Sequence, residues 1–243
     1  MFTSVDSKKR VLDQKRPLPP NTLHSIREHL IVNWTYHSNA IEGNTLTLSE
    51  TKVALEGITI GGKKIQEHLE AINHKDAILY VEEIVQKQEP LSEWQIKSIH
   101  RLILKGIDDE HAGAYRKENV LISGAEHLPP EAVQVPVQME EFIKWYGNEG
   151  QKQHPVVRAA LIHSDFVKIH PFIDGNGRTA RLLLNFELMK NGYPPIVIEK
   201  DMRAEYYASL DEAHTTGNND KFISLVTRIL DRTFDFYLKL VIN

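Results

Sequence analysis

His170, Asp174, Gly175, Asn176, Gly177, Arg178 and Arg181 fall in one short run, HPFIDGNGRTAR, between residues 170 and 181. Those residue types at that spacing suit phosphoryl or nucleotidyl transfer. Gly175 and Gly177 permit the positive-φ or close-approach backbone that lets successive N–H groups converge on a phosphate. The chain then runs into an apolar helical segment, whose N-terminus adds partial positive charge at the same place. Asp174, just before this nest, is placed to hold Mg²⁺, which needs only one or two carboxylates beside waters and phosphate oxygens. Arg178 and Arg181 lie three apart in the first helical turn and are expected to point from one face toward whatever the nest holds. An arginine fork donates bidentately to phosphate. The remaining task, deprotonating an incoming nucleophile, falls to His170, whose ordinary pKa fits it.

Taken singly, each residue reads as part of a helix-loop-helix corner with two turn glycines, a satisfied histidine and a solvated arginine pair. The combination argues otherwise, because a plain corner needs no Asp, Asn and two Arg around the same two glycines. The run is not a Walker loop, since the chain has no GxxxxGK followed by Ser or Thr.

The stretch resembles the signature of the Fic family, HxFx(D/E)GNGRxxR, and matches it at His170, Phe172, Asp174, Gly175, Asn176, Gly177, Arg178 and Arg181. The resemblance spans about residues 25 to 240 and implies an enzyme that moves AMP from ATP to a Ser, Thr or Tyr hydroxyl of a protein. It implies His170 as the base, Asp174 as the Mg²⁺ ligand, and nucleotide binding along Gly175, Asn176, Gly177, Arg178, Thr179, Ala180 and Arg181. Arg181 would clamp the terminal phosphate. The run Ser38–Gly43, SNAIEG, is similar to the family's inhibitory motif (S/T)xxxE(G/N), whose Glu pairs with the second signature Arg, so Ser38 and Glu42 are the implied inhibitory residues, Glu42 against Arg181. By itself that run is a helix C-terminus with a surface acid, although an acid there opposes the macrodipole.

Val120, Leu121, Ile122 and Ser123 lie where Fic proteins carry a flap that pairs with an extended segment of the target; read alone they are an edge strand covering the core. Tyr206 and Tyr207 are implied to help form the adenine pocket, together with His214, where better known relatives often carry Asn. An amphipathic helix alone would account for the tyrosines as one core and one half-exposed aromatic. Three functions follow for comparison. The first is AMP transfer restrained by Glu42, the second is removal of AMP with Glu42 orienting a water, and the third is a nucleotide-gated binding module without catalysis. Retention of both His170 and Asp174 weighs against the last, and an intact GNGR disfavours the kinase-like Doc variant. The implied partners are ATP and an extended protein segment, and a homodimer is compatible with the resemblance.

The elements that must position these residues read as helices. Residues 1 to 20 are expected to be a flexible arm ending in Pro17, Pro19 and Pro20, and residues 21 to 243 one mostly α, Fic-type domain with a small β-hairpin flap. Asn21 can cap an inhibitory helix over about 22–42 that stops at Gly43. Thr47 with Glu50, and Ser92 with Gln95, form capping-box patterns before two further helices. Between them Ile65, Leu69, Ile72, Ala77, Ile78, Val81 and Val85 mark an amphipathic helix. Helical stripes return at 137–146, 155–169, 181–190, 203–214 and 220–241. Residues 113–136 break the pattern: a β-favouring NVLIS, then Gly124 and the pair Pro129 and Pro130, predict the hairpin flap. The catalytic loop is residues 170–181.

Composition narrows the function classes. The 243 residues are 41% hydrophobic, enough for one large core. A net charge of −4 with mixed signs offers no basic field, which argues against nucleic acid or an anionic membrane as principal partner. There is no cysteine, hence no disulfide and no thiolate nucleophile, and the twelve histidines show no HExxH-like spacing. The polar, basic N-terminus lacks the apolar core of a secretory signal, and no run approaches a membrane span, so a cytoplasmic location is expected.

Overall fold

A computed structural model describes residues 2–241. Its helices among those residues are α1 (Thr3–Gln14), α2 (Pro20–Ile41), α3 (Leu48–Leu55), α4 (Ile65–Gln86), α5 (Glu93–Leu104), α6 (Val135–Gly147), α7 (Pro155–Ile169), α8 (Asn176–Lys190), α9 (Arg203–Thr216) and α10 (Asp220–Val241). Nearly every residue of α8 from Asn176 to Leu188 is buried, so it is a central helix and not an amphipathic surface one. It packs along α7. On one side of this pair, Ile78 and Val81 of α4, Ile96 and Ile103 of α5 and Phe142 of α6 meet Phe166, Leu183 and Phe186. On the other, Leu12 of α1, Ile26 of α2, Leu210 of α9 and Phe222 of α10 meet Val156, Leu184 and Leu188. The loop joining α7 to α8 is therefore anchored on both flanks by packed core.

Local chemistry explains several boundaries. α3 starts on a reciprocal capping box, with Glu50 N–H donating to Thr47 Oγ1 at 3.2 Å and Thr47 N–H donating to Glu50 Oε2 at 2.7 Å. Ser92 does precede α5, but its hydroxyl bonds the Gln95 side chain and caps no backbone N–H. α2 begins at Pro20, not after an Asn21 cap, because proline suits a first helical position whose N–H would be unpaired anyway. The buried face of α4 is Ala77, Ile78, Val81 and Ile84, while Ile65 at its start is 76% exposed.

Two expectations are corrected. The arm over residues 1–20 is mostly the helix α1, packed on α10: Val5 and Leu12, seven apart, are fully buried, and Lys8 Nζ is ion-paired with Asp231 at 2.9 Å and Asp235 at 2.6 Å. A stripe this narrow forms a stable helix only against a partner, and that partner lies at the other end of the chain. The β-hairpin flap is also absent, for no strand occurs among the described residues. The segment does turn back, with Ala125 N–H donating to the Ile122 carbonyl at 3.2 Å, but its arms form no ladder. Pro129 and Pro130 remove two donors from the returning arm, and a β-favouring run without a pairing partner stays irregular.

Candidate active site

α7 ends in a left-handed residue, His170, at φ 51° and ψ 58°, whose N–H donates to the Phe166 carbonyl at 3.0 Å. A side chain in that region is strained by roughly 1–3 kcal/mol, which the surrounding bonds must offset. They do so at almost every residue of the loop. Asn176 closes a small ring, accepting from Phe172 N–H at 3.0 Å and donating to the Phe172 carbonyl at 2.8 Å. His100 accepts from Gly113 N–H at Nδ1 (2.9 Å), so its Nε2 carries the proton and donates to the Asp174 carbonyl at 2.8 Å. Its ring stacks on Phe172 at 3.6 Å. Burial holds this imidazole neutral, pushing it down to about 4. Gly175 opens α8 at φ 76°, and a Cβ there would press on the same His100 ring.

Arg116 is the second anchor. Its backbone N–H donates to the Pro171 carbonyl at 2.9 Å, and its Nε donates to the His170 carbonyl at 2.8 Å. Its remaining nitrogens reach the Glu118 carbonyl at 2.9 Å and the Pro130 carbonyl at 2.5 Å, so one buried guanidinium joins the loop between α7 and α8 to both ends of the flap. Burial pushes His170 down to about 4, with Arg116 adding to the effect and Val167, Glu42 and Asp174 opposing it. Nδ1 is buried, and hydrogen bonding toward the Val167 carbonyl favours a proton on the ring against the effect of burial. Nε2 is the ring nitrogen that remains.

The two signature arginines diverge instead of facing one target. Arg178 turns back to Asp174, NH2 to Oδ2 at 2.9 Å, with Glu70 of α4 at 3.9 Å. Asp174 itself is largely exposed and accepts from Gly175 N–H at 2.6 Å. Arg181 instead points at α2. Its Nε donates to Ser38 Oγ at 3.0 Å, and its NH2 donates to the Ser38 carbonyl at 2.8 Å and to Glu42 Oε1 at 2.7 Å. Burial works against its charge, but Glu42 and Tyr206 outweigh that and hold the guanidinium above its usual range. A Cβ on Gly177 would collide with Glu42 Oε1, so the glycine leaves room for that carboxylate over the start of α8. Thr179 and Ala180 are fully buried beneath the helix start.

Of the residues expected at the adenine pocket, Tyr206 is 1% exposed and lies under the site. Its hydroxyl accepts from Arg181 NH1 at 3.3 Å and donates to His163 Nε2 at 2.9 Å. Burial and Arg181 keep His163 neutral. Tyr207 is exposed, with Arg203 over its ring at 5.1 Å. His214 Nε2 donates to the Ser164 carbonyl at 3.0 Å, and the ring meets flap residue His127 edge-on at 5.2 Å. On the flap, Leu121 is 80% exposed and Ser123 is exposed, with Val120 and Ile122 half-buried. His100, Arg116 and His163 were not singled out from the sequence. Only His100, on the apolar face of its helix, left a trace there.

Among the described residues no group of three or more His, Asp or Glu side chains forms a metal cage. A single exposed carboxylate beside an anion nest is nonetheless what Mg²⁺ needs when phosphates complete its shell, so Asp174 fits that ion. Among the described residues no helix is long and apolar enough to cross a membrane.

Residues 90–188 match the model of the Fic/DOC family. Over 98% of its length the chain is 39% identical to a protein adenylyltransferase Fic of Nematostella vectensis, covering 56% of that protein. The chain spans about half the length of the curated relatives it matches. Among solved structures it superimposes on Fic-1 of C. elegans with a TM-score of 0.87 at 33% identity, covering 97% of this chain and 71% of the other. A Fic domain-containing signalling protein from Bacteroides thetaiotaomicron gives a TM-score of 0.90 at 30% identity, with 98% of both chains covered.

Proposed function

Because the chain belongs to the Fic/DOC family, we propose that it is a protein adenylyltransferase that moves AMP from ATP to a Ser, Thr or Tyr hydroxyl of a target protein. The observation that carries this reading is the loop itself. A strained His170 and the N-terminus of α8 are locked together by Asn176, His100 and Arg116. A nucleotide on that helix start would have its α-phosphorus attacked by the target hydroxyl, whose proton passes to His170 Nε2. An O–P bond forms, the bond from the α-phosphorus to the bridging oxygen breaks, and diphosphate leaves. Burial keeps the free imidazole unprotonated at neutral pH. The negative phosphates would raise its pKa from about 4 toward the working range, as Glu42 and Asp174 already do. Asp174 is the carboxylate that would hold Mg²⁺, which supplies charge neutralisation on the phosphates when bound.

Glu42 acts in this account as an inhibitor. It occupies the Arg181 fork that a terminal phosphate would need, and Gly177 lets it sit directly above the helix start. A second activity, hydrolytic removal of AMP, is favoured by one feature. Glu42 binds Arg181 through Oε1 alone, and among the described residues its Oε2 makes no hydrogen bond, leaving an oxygen that can orient a water. The flap, with Leu121 and Ser123 exposed, would receive an extended segment of the target. Incubation with α-labelled ATP tests the reading: label should appear on protein hydroxyls and be lost in His170→Ala. Label that follows the γ-phosphate alone would refute it.

A further inference from the structure

Next to the catalytic loop lies a groove of about 520 Å³ that the transfer step does not use. Pro130 of the flap, Glu141, Phe142 and Trp145 of α6, and Asp165 and Lys168 of α7 line it. Asp165 is half-buried, and among the described residues it makes no hydrogen bond and no ion pair; Lys168 on the same wall does not reach it. Burial pushes its carboxyl up to about 6, with Lys168 pulling the other way. A carboxylate set without a partner against phenyl and indole rings costs folding stability, and an incoming cation would remove that cost. The walls carry two carboxylates and one ammonium, so the charge favours a cation. Among cations a guanidinium fits best, since it can stack on the half-buried Trp145 ring while its fork donates to a carboxylate.

The groove is also held at a fixed offset from the chemistry. Arg116 bonds the Pro130 carbonyl on the groove wall at 2.5 Å and the His170 carbonyl at 2.8 Å. Ile169 lines the groove and His170 follows it directly. We propose that this groove receives an arginine side chain of the protein target, paired with Asp165, and so fixes which hydroxyl of that target reaches His170. The inference rests on the adenylyltransferase reading, and it adds a sequence preference to it.

The test uses fluorescent peptides with one central Thr and one arginine moved stepwise along them, each compared with its citrulline twin, which keeps the shape and loses the charge. Binding to the full chain is read by anisotropy, and labelling by α-labelled ATP is followed in parallel. At one spacing the arginine peptide should bind at least about tenfold more tightly than its twin, and Asp165→Asn should erase that difference. Asp165→Ser should erase it too, and both variants should melt no lower than the wild type, because the carboxylate they remove has no partner. Equal binding of the twins at every spacing, including none detectable, overturns the proposal, as does a preference that survives both variants or one met equally by lysine and glutamine. Arginine-dependent binding without labelling of any peptide counts against the transfer reading and leaves the groove assignment standing.

Discussion

The loop from His170 to Gly175 and the flap from Lys117 to Glu131 are both irregular, and they meet at Arg116, yet they are held in different ways. In the loop His170, Pro171, Phe172, Asp174 and Gly175 each have a backbone group bonded to a buried or helical partner. In the flap Arg116 holds Glu118 and Pro130, Asn119 Oδ1 accepts from Ala132 N–H at 2.8 Å, and past the turn Glu126 N–H donates to Asp211 Oδ1 at 2.9 Å and His127 Nε2 donates to the Lys168 carbonyl at 3.0 Å. Between Val120 and Ala125 a single turn bond remains. A phosphate has one shape and rewards fixed donors, whereas misplacement by ~1 Å can cost ~10²-fold in rate. A protein segment varies, and backbone groups left unpaired are what it can bind.

Variants of the loop should therefore be severe and those of the flap selective. The largest effect is expected for His170→Ala, with transfer falling ~10²–10⁴-fold while nucleotide binding, followed by calorimetry, stays within a few-fold. If labelling persists at the wild-type rate, some other group accepts the proton. Asn176→Ala comes next. It leaves the buried Phe172 N–H and carbonyl without partners, a stability loss on the order of 2–4 kcal/mol in a denaturant melt, with transfer lowered toward every target alike. A variant as stable as wild type would show that the loop is held by something else.

Acid should act on the core in the same direction. His100, His170 and His214 are each pushed down to about 4 by burial, so the unfolded chain binds more protons than the native one between pH 6.5 and 4. Stability is then full above about pH 6.5 and is lost as pH falls toward 4, by on the order of 1–2 kcal/mol per histidine at pH 5. A melting temperature flat from pH 7 to 5 would contradict these environments. The smallest effect on folding belongs to the flap, where Leu121→Ala should change stability by less than ~0.5 kcal/mol yet lower transfer to a protein target more than it lowers ATP binding. An equal loss in both would remove the distinction between the two segments.

What could be read from the sequence follows how local each device is. The loop was legible because His170, Asp174, two glycines and two arginines are neighbours in the chain, and the helices because their apolar periods are intact. Glu42 and Arg181, 139 residues apart, could be joined only through a family resemblance. α1 was missed because its narrow stripe needs α10 to mean anything. NVLIS suggested a strand from its β-branched residues, but pairing is a property of two segments, and prolines sit in the second. His100, Arg116 and His163 look like ordinary core or loop residues until tertiary structure shows what their polar atoms hold. Tyr206 is tied to a nucleotide only by resemblance, and the tertiary structure adds that its buried hydroxyl bonds Arg181.

The central claim is that Glu42 and a terminal phosphate compete for one guanidinium. The direct measurement is the rate of label transfer from α-labelled ATP by purified Glu42→Gly beside the wild type, over a range of ATP concentrations, with folding checked by a melt. Releasing Arg181 should raise transfer ~10²-fold, and adding His170→Ala should cancel the gain. A folded Glu42→Gly protein that labels no faster than wild type at any ATP concentration would contradict the account.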